Sequence, residues 1–272
     1  MQRLIRGFRA AGIRFSRDGC AFLAQSLAYN AIFAMIPLAL LAVAAFGFVY
    51  GTQEGQDRLL ATIDDIAPSI HDLFAENIKS AVQFRGISGT IAIVALMWSG
   101  KNLFQGLAYA LNRALGVPAG RPIVHDILLS IVMLPAMGIL LLLSTLVPVI
   151  VTFLANVGGI ASPALAQLAT YGASILLVLV VTATLYTFLP NRFVPWYFGI
   201  PGGIFTAVAF QIAQIAFTVF TTHVNLFHVY GALSTVFALL LWFYLMGAIF
   251  LYGAELSAVW YENERQPEQA MQ

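Results

Sequence analysis

The chain has 272 residues, of which 60% are hydrophobic and only 9% charged, against roughly 45–50% apolar and about 25% charged in soluble domains. A mean hydropathy of +0.87 makes a lipid bilayer its solvent. A net charge of +1 excludes the clustered basic face of a nucleic-acid binder, and a single cysteine, Cys20, excludes an intrachain disulfide.

The first 20 residues hold Arg3, Arg6, Arg9, Arg14 and Arg17 among Leu4, Ile5, Phe8, Ile13 and Phe15. This pattern predicts an amphipathic helix lying in the cytoplasmic interface near anionic lipids. A short tail that serves only to fix topology is the other reading.

Apolar runs of about 20 residues cross the hydrocarbon core, and six are predicted, at 21–50, 87–111, 124–155, 164–189, 200–222 and 231–259. The first is too long for a signal-peptide core and lacks a small-residue cleavage site, so it is retained as a membrane helix. Its cytoplasmic half carries Tyr29 and Asn30, and Pro37 lies within it as a hinge candidate. The external segment 52–84 repeats apolar residues at helical spacing, and Pro68 divides it into two short amphipathic helices.

The second span contains ALMWSGKNLFQ, with one lysine in an apolar run. A charge near the middle of a span costs about 2.5–3.5 kcal/mol or more, so Lys101 needs protein, water or an acid beside it. Trp98, Lys101, Asn102, Gln105, Tyr109 and Asn112 follow helical spacing and place the polar groups of this span on one face. Snorkelling of the lysine to the interface is the competing account.

The third span holds Pro135, a second hinge candidate; the fifth holds Gln211 and Gln214; the sixth ends near Glu255. Lys101, Asn102, Gln105, Tyr29, Asn30, Gln211, Gln214 and Glu255 are the candidates for a polar pathway, with a Lys101–Glu255 pair as its charged element. Ordinary interhelical hydrogen bonding accounts equally for the amides, and interfacial anchoring for Glu255. GIPGG, with Gly199 and Gly203 four apart, is a weak signal of close helix approach.

Arg3 to Arg17, Arg113, Arg121, Arg192 and Arg265 fall on alternate flanks, whereas the other side carries only Arg58, Lys79 and Arg85 among six acids. The positive-inside rule therefore predicts both termini in the cytoplasm. The organisation read from sequence is an interfacial helix (1–20), a transmembrane domain (21–262) and a cytoplasmic tail (263–272).

Several stretches resemble the BrkB/YihY family of bacterial inner-membrane proteins: SLAYNAIFAMIPL (26–38), WSGKNLFQGLAYALNRALGV, LYTFLP (185–190) and VYGALSTVFALLLWFYLMGAIFLYGAELSAVW (229–260). The entry Tyr230-Gly231-Ala232 and the exit Gly253-Ala254-Glu255 are its most specific parts. The resemblance implies an all-α transmembrane bundle in the inner membrane, with both termini inside, and a role in transport that includes lipid movement. Members were formerly labelled ribonuclease BN. This chain departs at Gln105 and Tyr109, where members often carry a basic and an acidic residue, and Lys101 lies one turn before Gln105.

A metal-dependent nuclease needs clustered ligands, yet His71, His125, His223 and His228 are dispersed. The sequence also lacks a phosphate-binding glycine loop and a nucleophile elbow. Neither enzyme activity nor a cofactor or metal is expected, and no nucleic acid is expected as a partner. Two functions stay open: a transporter or lipid-translocating protein without an ATP site, and a non-transporting scaffold. Expected partners are membrane lipids, a second copy of the chain or an envelope protein.

Overall fold

A computed structural model describes residues 2–49, 71–117, 163–191, 195–223 and 233–269, and every regular element among them is helical. In chain order these are α1 (Gln2–Arg17), α2 (Cys20–Val49), α3 (His71–Ala114), α4 (Pro163–Phe188), α5 (Trp196–His223) and α6 (Leu233–Gln269). The predicted third span with Pro135, the segment before His71 that includes Pro68, and the Tyr230-Gly231-Ala232 entry lie outside the described residues.

Four described helices contain a stretch long and apolar enough to cross a membrane: Cys20–Pro37, Tyr171–Phe188, Trp196–Thr221 and Val236–Glu262. They correspond to the first, fourth, fifth and sixth predicted spans. The second predicted span is part of α3, which starts at His71 and runs unbroken through 44 residues. At 1.5 Å per residue that helix is about 66 Å long, twice a hydrocarbon core of about 30 Å. The later half of the external segment is therefore not a separate short helix, because no break intervenes between residue 71 and the span. The predicted tail is likewise largely helical, as α6 continues to Gln269.

Two compact units make up the chain: Met1–Tyr29 with Leu103–Gln272, and Asn30–Asn102. In the first, α1 ends at a tight turn in which the Asp18 N–H donates to the Arg14 carbonyl at 2.8 Å. Gly19 adopts φ +70° there, a left-handed conformation that costs glycine nothing and other residues about 1–2 kcal/mol. The small residues of α1 face protein: Gly7 and Ala11 are buried, while Ile5 and Ile13 are exposed. This face packs on α6, where the Tyr252 hydroxyl donates to the Phe8 carbonyl at 2.8 Å. Phe205 of α5 joins the contact, with its ring 5.7 Å from Phe8 and 5.0 Å from Tyr252.

Glycines set the packing of α4, α5 and α6. Lipid tails are as apolar as leucine, so membrane helices associate through close van der Waals contact and hydrogen bonds rather than hydrophobic drive. Gly199 and Gly203 both face α4: a Cβ on Gly199 would stand 3.2 Å from the Ala183 carbonyl, and one on Gly203 would stand 2.9 Å from Leu179 Cδ1. Gly202, one position away, faces α6 and lies against the Gly253 carbonyl and Ser257 Oγ. The GIPGG signal thus serves two interfaces at once. Between them Tyr186 is wholly buried. Its hydroxyl donates to the Phe250 carbonyl at 2.6 Å and stands 2.9 Å from Thr206 Oγ1.

Candidate functional site

Glu255 is the buried charge around which the first unit is built. Its α6 position at the Gly253-Ala254-Glu255 exit leaves it 0% exposed, within a cluster that includes Cys20, Leu251 and Ala254. Arg14 Nε donates to Glu255 Oε2 at 3.0 Å, and the Cys20 thiol donates to Oε1 at 3.4 Å. Arg14 Nη1 donates in turn to Glu262 Oε1 at 2.6 Å. A peripheral arginine is thereby clamped between two carboxylates seven residues, about two turns, apart on the same face of α6. Burial opposes the charge on Arg14, but its bonds to Glu262 and the attraction of both acids outweigh that, so its pKa lies above the ordinary arginine value. The guanidinium remains charged throughout the physiological range.

Both oxygens of Glu255 are thus met within its own unit. Lys101, its partner in the sequence-based reading, belongs to the other unit. There Lys101 Nζ stands 5.6 Å from the Trp98 ring centroid, one helical turn away, a cation–π contact. The same unit holds half-buried Asn30, exposed Asn102 and buried Pro37, through which α2 continues without a break. Among the remaining candidates, Gln105 and Gln211 are half-buried, and Tyr29 and Gln214 are exposed. Pro135 lies outside the described residues.

A cleft of about 460 Å³ opens beside the clamp, between the end of α1 and the end of α3. Arg14, Arg17, Asp18, Tyr109, Asn112 and Arg113 line it, with Gly116 and Val117 at its edge. None of the eight pathway candidates does. The α3 end that shapes it is a Schellman cap: Gly116 has φ +63°, the Val117 N–H donates to the Asn112 carbonyl at 2.8 Å, and the Gly116 N–H donates to the Arg113 carbonyl at 3.3 Å. Asn112 also fixes the chain beyond α4, accepting the Asn191 N–H through Oδ1 at 2.7 Å. Arg17 is bridged to Asp18 at 3.2 Å, and this bond raises the Arg17 pKa. Sequence reading used these arginines as topology markers and, for Arg14 and Arg17, as part of an interfacial helix near anionic lipids, but not as a site. The available signal was their position: Arg14, Arg17 and Arg113 all sit in the last turn of a helix followed by glycine.

Among the described residues no three His, Cys, Asp or Glu side chains gather where they would hold a metal ion. The family model described as virulence factor BrkB matches residues 12–272. A UPF0761 membrane protein of Coxiella burnetii is 31% identical over 260 residues, covering 90% of each chain. A UPF0761 membrane protein of Pseudoalteromonas translucida is 29% identical over 246 residues, 85% of this chain and 78% of its own. A Bacillus subtilis protein named ribonuclease-like protein YfkH is 27% identical over 225 residues, 78% of this chain and 81% of its own. No solved structure matches the chain.

Proposed function

Within the BrkB family of multi-pass membrane proteins, to which this chain belongs, we propose that it is a non-enzymatic transporter or lipid-translocating protein of the bacterial inner membrane. Both termini face the cytoplasm in this reading. The observation that carries it is the wholly buried Glu255, joined at 3.0 Å to Arg14 of a peripheral helix. An ionisable group inside a span is costly, and its usual uses are substrate and ion pathways. A peripheral helix pinned by a buried ion pair, in addition to its Phe8, Tyr252 and Phe205 contacts, gains a second, released state when that pair opens. Opening of the clamp would join the cytoplasmic cleft to the interior of the bundle. Lys101, Asn102, Gln105, Tyr29, Asn30, Gln211 and Gln214 are the groups proposed to line the route, with Pro37 and Pro135 as its hinges. In the absence of an ATP-binding motif, transport would be passive or gradient-coupled.

Headgroup-labelled phospholipid translocation in liposomes holding the purified protein tests this, with Glu255→Gln and Lys101→Met as matched variants. Translocation that falls at least tenfold in Glu255→Gln, with the fold retained, is the expected result. No translocation and no solute flux by correctly oriented wild-type protein would leave the scaffold reading in its place.

A further inference from the structure

We propose that the cleft between the ends of α1 and α3 binds a phosphate group, either the headgroup of an anionic lipid or a free phosphate anion. The charge balance around the cleft points to an anion. Asp18 is offset by Arg17 at 3.2 Å. Arg14 spends Nε on Glu255 and Nη1 on Glu262, and among the described residues its Nη2 makes no hydrogen bond. Nη2 is instead the atom nearest to where a Gly116 side chain would stand, 4.0 Å away, so it reaches the cleft edge. Arg113 is exposed and makes no ion pair among the described residues. Arg14 Nη2 and the exposed Arg113 therefore border about 460 Å³ of open space, enough for a headgroup.

The opposing effect is the negative end of the α1 and α3 dipoles, which disfavours an anion at a helix C-terminus. It is muted here because on the α1 side the Arg14 and Ser16 carbonyls already accept the N–H groups of Asp18 and Gly19, and on the α3 side the Asn112 and Arg113 carbonyls are already occupied by the N–H groups of Val117 and Gly116. The cleft consequently presents arginine edges in place of bare acceptors. Guanidinium forks match phosphate oxygens in pairs, and this distinguishes them from a lysine point charge. Tyr109 also lines the cleft.

This site deepens the transport reading and rests on it only for the use to which binding is put, so binding is measured apart from flux. The full chain is purified in maltoside micelles, which carry no phosphate. It is then titrated with inorganic phosphate, with short-chain phosphatidylglycerol and with short-chain phosphatidylcholine, read by thermal shift and by native mass spectrometry. Wild type is expected to bind phosphate or phosphatidylglycerol. Arg113→Gln should weaken binding at least tenfold, Arg113→Lys should restore part of it, and Arg17→Gln should free Asp18 and weaken it further. Binding of phosphatidylglycerol alone identifies a lipid headgroup, and binding of phosphate alone a soluble anion. Failure of both to bind, or binding unchanged in a folded Arg113→Gln protein, overturns the site. Binding with neither translocation nor solute flux would retain the site and remove the transport reading; translocation unaffected by Arg113→Gln together with no binding would do the reverse.

Discussion

The two carboxylates that clamp Arg14 are not equivalent. Glu262 is solvent-facing, with 59% of its side chain exposed, whereas Glu255 has none. Taking a carboxylate out of water costs several kcal/mol even after relaxation, and removing the partner of a buried ion costs about 3–5 kcal/mol. Arg14→Met, which leaves Glu255 with only the Cys20 thiol, is therefore expected to destabilise the protein by about that amount. Glu255→Gln leaves Arg14 its second acid and should cost roughly 1.5–3 kcal/mol, the scale of a charged hydrogen bond. The double substitution Arg14→Met with Glu255→Met should recover most of the loss. Thermal melts of wild type, Arg14→Met, Glu255→Met and the double substitution in one detergent form the cycle; additive losses would mean that the pair is not a unit. At this scale sequence reading singled out Glu255 and offered Lys101 as its partner, because each charge would lower the other's cost of leaving water, with interfacial anchoring as the other account. It missed Arg14 because five arginines in one short helix look alike. What separates Arg14 is its spacing from Gly7 and Ala11, seven and three residues earlier, which puts it on the small-residue face that packs against protein.

Among the helices, the same spacing logic explains why α1 was legible as amphipathic while its packing face was not. In a soluble protein the large apolar residues turn inward. Here Ile5 and Ile13 turn outward and glycine and alanine turn inward, because close backbone approach, not burial of bulk, holds helices together in lipid. The glycines of α5 and α6 give this rule a measurable form. Gly202→Ala would drive a methyl group into the Gly253 carbonyl, which is backbone and cannot move aside. A loss at the upper end of the 1–3 kcal/mol typical of overpacking is expected. Gly172→Ala in α4 meets nothing within 4 Å, so it should be neutral or should gain about 0.5–1 kcal/mol from reduced chain entropy. Melting temperatures that fell equally for both would show that helix propensity, not interhelical contact, governs these positions. Tyr186→Phe should cost about 1–3 kcal/mol through loss of the Phe250 and Thr206 bonds, checked in the same assay. Tyr186 entered the sequence reading only within the LYTFLP stretch (185–190), without a packing role, since a tyrosine near the end of a span reads first as an interfacial anchor.

For the molecule as a whole, composition and the spacing of apolar runs were enough to read an all-helical membrane protein, and four of the six predicted spans coincide with described helices that meet the length and hydropathy of a crossing. The proposed orientation rests on a different quantity, the distribution of lysine and arginine, and it decides which compartment the arginine cleft meets. Impermeant maleimide labelling of spheroplasts tests it directly, because the only native cysteine, Cys20, is 0% exposed and gives no background until the protein is unfolded. Gln2→Cys should stay unlabelled in intact spheroplasts and react once they are opened, whereas Arg58→Cys should react in both. The reverse pattern would place α1, Arg14 and Arg113 outside the cell and break the positive-inside assignment. The cleft would then face the periplasm, and the phosphate it meets would have to come from the outer leaflet or the periplasmic fluid. Orientation therefore fixes the direction in which a bound headgroup would move, and the labelling pattern belongs before any flux assay is interpreted.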